Sequence, residues 1–427
     1  MKKNAILSLL VLSACAWLSA AEPKAELLTE PLHNPIAADI EELPHDGKIG
    51  DFFNVRSVTD DAVTVQFGIR LPAETGITVR LIQGGKTLAE LGAQGRFGRI
   101  LFSGLEPDTV YTVSAEYDLF SAEPEAVKIN ELTGEKALAS LTRVCRTLPA
   151  PKGELLLRAA FVSDTHVSMI GKPAGRLHCI SREILADVCR DAAARGCTLM
   201  INGGDVTNES LEEEFEMAKE AMAGFPGTIL KVPGNHDVVK DKEEQRKWRA
   251  AFGPAACYEV AGGVQFVGLN TSDGLLNKQE NREVIDRLDP EKPAVIFSHF
   301  QLVKDGTLND KNKAIADADA CAGLLDKIGG SNSVIYVGHK NVAATARLGN
   351  VLQINMPQTT QFPMGWLEAE IRPEGIYHHF VFSTAADREE LSRLLGGCYL
   401  GTIGYRDRRS AEIWNRFVPW PKSEEEK

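Results

Sequence analysis

Leu155-Leu156-Leu157-Arg158-Ala159-Ala160-Phe161-Val162-Ser163-Asp164-Thr165-His166 is the stretch that decides how this chain is read. The run Leu155–Ser163 is almost continuously apolar and short, which predicts a strand buried on both faces. Its polar sequel, Asp164-Thr165-His166, falls directly at the carboxyl end of that strand. The same order recurs along the chain. Thr198–Asn202 leads into Gly204-Asp205, and Thr228–Val232 into Gly234-Asn235-His236-Asp237. Ala294–Ser298 leads into His299, Val334–Val337 leads into Gly338-His339, and Val264–Leu269 is a further buried run. Between the first two runs, Leu177, Ile180, Ile184, Leu185 and Val188 recur at helical spacing, as do Leu211, Phe215, Ala218 and Met222 between the next two. Strands alternating with amphipathic helices predict an α/β layered domain. Ligand sites in open α/β sheets gather beyond the carboxyl ends of the strands, so this phase brings five distant segments to one place.

The residues that converge there form a mixed carboxylate, imidazole and amide set. Such ligands suit manganese, iron, zinc or nickel, whereas an all-oxygen calcium cage would not use three or more histidines. One carboxylate shared by two metals holds them about 3.5–4 Å apart, a separation that activates a water and clamps a phosphoryl group. The glycines before Asp205, Asn235 and His339 allow tight turns that aim these side chains inward.

In these motifs, taken in order from about Arg158 to Ile371, the chain resembles the calcineurin-like metallophosphoesterase family, and within it the bacterial cyclic-nucleotide and glycerophosphodiester phosphodiesterase branch. It is less similar to purple acid phosphatases, because Asp205 is followed by Val206-Thr207-Asn208 without their tyrosine. The resemblance implies a layered β-sandwich core flanked by helices and two divalent transition metal ions (manganese, iron or zinc). It also implies in-line attack of a metal-bridging hydroxide on a small-molecule phosphodiester or phosphomonoester. On matching positions, Asp164 and His166 would ligate the first metal, Asp205 would bridge both, and Asn235, His299 and His339 would complete the second site. His236 would act near the leaving group as general acid or transition-state stabiliser, and Asp237 would orient its imidazole. The last motif departs from the family's Gly-His-any-His: it reads Gly338-His339-Lys340-Asn341. Asn341 then offers an amide oxygen where the family has imidazole, which predicts a looser first metal, and Lys340 is placed to contact a substrate phosphate. That substitution keeps a second reading open, a non-catalytic surface or periplasmic binding protein on the same scaffold. His178 and the pair His378-His379 match no motif and are expected to be surface or structural; the Glu212–Glu214 run is expected to be a solvated helix face.

Upstream, Ala62–Phe67, Ile77–Leu81 and Val110–Val113 alternate with period two, predicting a small all-β sandwich before the α/β domain. Leu105-Glu106-Pro107-Asp108-Thr109-Val110-Tyr111 resembles the tyrosine corner of fibronectin type III domains. The expected divisions are a leader over 1–21, a linker over 22–48, the sandwich over 49–149, the α/β domain over 155–384 and a C-terminal helix and tail over 385–427. In that tail, Trp414, Phe417 and Trp420 are expected to pack onto the body.

Lys2 and Lys3 precede an uncharged run from Ala5 to Ala21, the order of a secretory leader, and the protein is expected to be exported: periplasmic, secreted or at the cell surface. Ser19-Ala20-Ala21 suits ordinary cleavage, the favoured outcome. Leu12-Ser13-Ala14-Cys15 resembles a lipoprotein box that would leave an acylated Cys15 as the one route to a membrane. The 427 residues, 44% apolar and 25% charged, exclude collagen, coiled coil and wholesale disorder. A net charge of −12 argues against nucleic acid, whose phosphates call for clustered Lys and Arg. The eight cysteines contain no C-x-x-C pair and read as small core hydrophobes.

Overall fold

The computed structural model describes residues 22–28, 52–68, 76–95, 97–117, 141–172, 175–239, 245–306, 312–393, 395 and 410–421. The expected leader, with Cys15, lies outside the described residues, as do most of the linker, Cys398 and the last six residues.

The N-terminal unit holds β1 (Lys24–Leu27), β2 (Phe52–Val58), β3 (Ala62–Gly68), β4 (Gly76–Gln83), β5 (Lys86–Gln94), β6 (Phe97–Ser103), β7 (Val110–Tyr117) and β8 (Leu141–Arg146). They form two four-stranded sheets in the orders β1-β6-β3-β2 and β5-β4-β7-β8, with every pairing antiparallel. Period-two alternation puts Ile77, Val79 and Leu81 on one face of β4, where they meet Phe53, Val65, Phe67 and Phe102 of the other sheet. The expected corner forms: the Tyr111 hydroxyl is buried and accepts the backbone N–H of Glu106 at 2.9 Å. One boundary changes. Lys24–Leu27, expected to be linker, is an edge strand paired with Ile100–Ser103.

The second unit stacks two six-stranded sheets. One has the order β11 (Thr228–Lys231), β10 (Leu199–Asn202), β9 (Leu157–Val162), β18 (Gly365–Arg372), β19 (Gly375–Phe382), β20 (Arg416–Pro419). The other runs β12 (Cys257–Ala261), β13 (Val264–Leu269), β14 (Ala294–Ser298), β15 (Ser333–Val337), β17 (Val351–Asn355), β16 (Thr345–Leu348). Strands β9, β10 and β11 are parallel, as are β13, β14, β15 and β17, so their carboxyl ends share an edge. Alternate residues of β9 explain its unbroken hydrophobicity. Ala159 and Phe161 enter the core between the sheets with Phe297, Tyr336 and Ile354, whereas Ala160 and Val162 pack under α1 (Ser181–Ala194) and α2 (Glu212–Met222). On the outer face of the second sheet lie α4 (Gln279–Asp286) and α5 (Ala322–Gly329), after the short α3 (Arg246–Phe252).

The C-terminal segment is more than a tail. It contributes α6 (Ala386–Ser392), α7 (Ser410–Trp414) and the sheet strand β20. Trp414 is buried with Nε1 donating to the Asn355 carbonyl, and Trp420 donates to Arg372 O. Asn415 joins the two units: its Oδ1 accepts the N–H of Val58 in the sandwich and of Phe380 in β19, while Nδ2 donates to Arg56 O and Ala411 O. Beside it, Arg99 of β6 pairs with Glu389 of α6 at 2.7 Å with both side chains buried. The glutamate run of α2 also departs from expectation, since Glu214 is buried and accepts the N–H groups of Glu209 and Leu211 at the helix start. All six described cysteines are free, and burial pushes the thiols of Cys189 and Cys197 up to about 12, which suits core packing.

Candidate metal centre

The turns that follow the strands are strained, and at the residues that carry chemistry. Among the described residues, Asp164, His166, Asp205, His339 and Asn341 all adopt positive φ, between 43° and 66°. Non-glycine residues take that region at a cost, and such residues cluster where function requires them. The preceding glycines serve two purposes. Gly204 has φ of 95°, a true left-handed turn, whereas Gly234 and Gly338 are required for space. A Cβ on Gly234 would lie 2.2 Å from Asp205 Oδ1, and one on Gly338 would lie 2.1 Å from Ser163 Oγ.

Asp205 sits at the middle of the cluster. Its Oδ1 accepts the backbone N–H of His236 at 2.8 Å, which leaves Oδ2 facing two ways, 3.5 Å from His166 Nε2 and 3.2 Å from His299 Nε2. On one side Asp164 turns Oδ2 to Ser163 Oγ and His339 N, so that Oδ1 lies 3.8 Å from His166 Nε2. Asp164 Oδ1, both ring nitrogens of His166 and Asn341 Oδ1 are buried without a hydrogen-bond partner. Unpaired buried polar atoms are costly, and these four are of the types that would serve as donors to a cation. On the other side His299 gives Nδ1–H to the Gly203 carbonyl at 2.9 Å. That bond fixes the ring and presents Nε2 to Asp205 and, at 3.1 Å, to Asn235 Oδ1. Ligand atoms of Asp205, His299 and His339 fall within 4.8 Å of one another, as do those of His166, Asp205 and His236. The residues therefore fit two cations sharing Asp205: Asp164, His166 and Asn341 would hold one, and Asn235, His299 and His339 the other.

The electrostatics agree for Asp205, His166 and His339. Burial works against the charge on Asp205, but His299 and His166 hold its carboxyl well below the usual range. Burial also lowers His299, yet the Asp205 carboxylate carries it up to about 9, whereas burial pushes His166 down to about 4 and His339 well below its ordinary value. Neutral imidazoles and ionised carboxylates are the forms that bind metal, so Asp205, His166 and His339 are already in that form, whereas His299 must give up its extra proton to ligate.

Three expectations change. Asp237 does not touch the His236 ring. Its two oxygens accept the N–H groups of Val206, Thr207 and Gly234 and the Thr207 hydroxyl, so it ties two site loops together. The His236 ring is held instead by the Asn208 carbonyl, 2.7 Å from Nδ1. Lys340 is turned inward: its buried ammonium lies 2.5 Å from Asp305 Oδ1, because a charge taken out of water needs a counter-charge. His178, expected to be a surface or structural histidine, lies beside a candidate ligand, its ring tilted 54° to that of His166 with centroids 6.0 Å apart. Sequence reasoning passed over Ser163, Asn208 and the Thr359 and Thr360 hydroxyls that approach Asp164 O, since no local pattern distinguishes them from ordinary loop residues.

A stacked pair of sheets with a carboxylate between two histidine-bearing groups is a scaffold that could hold metal ions. The calcineurin-like phosphoesterase family model matches residues 157–379, and the chain belongs to that family, hydrolases acting on phosphoric esters. No match is found among curated proteins. Among solved structures, the chain is similar to a dimetal phosphatase from Danio rerio, at 10% identity over 54% of this chain and 98% of that one, with a TM-score of 0.44. It is also similar to a purple acid phosphatase from yellow lupin seeds, at 10% identity over 78% of this chain and 72% of that one, with a TM-score of 0.41.

Proposed function

We propose that the protein is an exported, dinuclear metal-dependent phosphoesterase that hydrolyses a small phosphate ester. One observation carries the reading: a single carboxylate oxygen, Asp205 Oδ2, stands between two imidazoles that belong to different half-sites. Two divalent cations, when bound, supply Lewis acidity to the phosphoryl oxygens and acidify an attacking water. The chain's own part is positional. Asp164 and Asn235 are fixed by their strained or tight turns, Gly203 orients His299, and Asn208 orients His236. Because a carbonyl only accepts, His236 Nδ1 carries a hydrogen, and Nε2 is the nitrogen left to act on the departing ester oxygen: with the ring as imidazolium, Nε2–H passes its proton to that oxygen as the P–O bond breaks and the ring is left neutral.

Resemblance to the diesterase branch keeps phosphodiesters in the substrate class beside monoesters. The N-terminal sandwich is taken as fibronectin type III-like, on the Tyr111 corner. The charged-then-apolar start supports export, with Cys15 as the alternative lipid anchor. Asn341 favours the second reading, a binding protein on this scaffold.

Hydrolysis of a paired chromogenic phosphomonoester and phosphodiester by manganese-, iron- or zinc-reconstituted protein decides between the two. Activity that disappears in Asp205→Asn supports the enzyme. Inactive wild type that gains activity in Asn341→His supports the binding protein.

A further inference from the structure

Between His166 and α1 the chain runs beside the centre as a strap, Gly175–Ile180, that brings the His178 ring 6.0 Å from that of His166. Its backbone is clamped from two sides. Leu177 N–H donates to Thr360 O at 2.9 Å, and Arg176 pairs with Gln361 as an isolated β-bridge. The Ser392 hydroxyl donates to Gly175 O at 2.6 Å and accepts Phe362 N–H, so α6 fixes the strap and the Gln358–Met364 loop together. Thr360 Oγ1 in turn reaches Asp164 O, tying the clamp to the first half-site.

This rigid strap carries two nitrogen-bearing side chains. Arg176 Nε is buried without a hydrogen-bond partner, and so is His178 Nε2 in a ring 6.0 Å from His166. The positive charge of Arg176 is felt at His166, at His178 and at the half-buried ammonium of Lys313, which lies 3.4 Å from the His339 carbonyl. Arg176 and Lys313 thus place fixed positive charge around the centre without being ligands of it. Lys340, by contrast, is neutralised by Asp305.

Resting on the phosphoesterase reading, we propose that Arg176 and His178, with Lys313 beside His339, form a subsite for the terminal phosphoryl group of a phosphomonoester dianion. A diester presents two non-bridging oxygens, which the two half-sites already address. A monoester has a third and a second negative charge, and these need a donor from the protein. A guanidinium supplies that donor as a planar fork matched to phosphoryl oxygens, and a neutral imidazole adds one N–H. The same chemistry describes free inorganic phosphate, the product of the reaction.

The test uses the metal-loaded full chain, wild type and the variants Arg176→Ala, Arg176→Lys and His178→Ala. It measures kcat/KM for 4-nitrophenyl phosphate and bis(4-nitrophenyl) phosphate, calorimetric binding of inorganic phosphate, and bound metal by elemental analysis. Wild type is expected to prefer the monoester. Arg176→Ala is expected to lower the monoester-to-diester ratio of kcat/KM by about 10–100-fold and to weaken phosphate binding comparably, the loss typical of a charge-assisted hydrogen bond. Arg176→Lys should fall between and His178→Ala should lose less, all with metal content unchanged. An unchanged ratio, unchanged phosphate affinity or a wild-type preference for the diester overturns the subsite. Loss of metal in Arg176→Ala or His178→Ala also overturns it, by assigning those residues to the metals. If wild type hydrolyses neither ester, the phosphoesterase reading fails, and phosphate binding still decides the role of Arg176 independently.

Discussion

Asn341 is the residue on which the strength of the first half-site turns. Its amide oxygen is buried, unpartnered and carried on a strained backbone, the setting of a ligand, yet a neutral amide holds zinc or iron less well than imidazole does. Asn341→His should tighten the weaker of two metal-binding steps by about tenfold or more, read by competition with a fluorescent chelator; unchanged affinity would remove Asn341 from the ligand set. His236 and Asp237, adjacent in sequence, separate by role. His236→Ala should cost about 10²–10⁴ in kcat at nearly constant thermal stability. Asp237→Ala, which leaves buried N–H groups of three loop residues unpaired, should cost about 3 kcal/mol, read in chemical denaturation. The candidate ligands are legible because Asp and His at successive strand ends have few structural reasons to be there. The direction of Lys340 was not, since it depends on Asp305, a partner 35 residues away, and Asp237 misled because neighbours in sequence need not be neighbours at the ring.

At the scale of elements, the strands of the catalytic unit were the easiest to read, and Val264–Leu269 and Ala294–Ser298 coincide with β13 and β14. Burial on both faces makes such runs apolar without a break. β1 and β20 escaped because Lys24–Leu27 and Arg416–Pro419 are four-residue edge strands without a continuous apolar run and with no motif after them to draw the eye. Their neighbours carry a pH signature. His378 of β19 is fully buried against Trp414, its Nδ1 meeting the Trp414 carbonyl at 3.2 Å, and burial pushes its pKa down to about 3 from an ordinary 6.5. Between those values the unfolded chain binds a proton that the folded chain refuses. Stability should therefore be complete above pH 6.5 and decline as pH falls toward 3, by on the order of 4 kcal/mol from this residue. Denaturation across that window should show a shallower slope for His378→Gln than for wild type. An equal slope would mean that His378 does not titrate on unfolding.

For the whole molecule, the seam between sandwich and catalytic unit is built from buried polar groups: Asn415 satisfied on all sides, and the Arg99–Glu389 pair. Asn415→Ala strands the N–H groups of Val58 and Phe380 and should cost about 2–4 kcal/mol, seen as a lower Tm or as a split transition if the units separate. The seam was invisible in the sequence, which places its partners across the two units 290 to 359 residues apart. The convergence of five strand ends was visible, because parallel α/β topology dictates where those ends meet. The central claim is that Asp205 is shared by two metal ions. Elemental analysis of protein reconstituted with manganese, iron or zinc, wild type beside Asp205→Asn, tests it most directly. Two equivalents are expected in wild type and at most one in the variant; one equivalent or none in wild type, or two retained in Asp205→Asn, would mean that Asp205 is not shared.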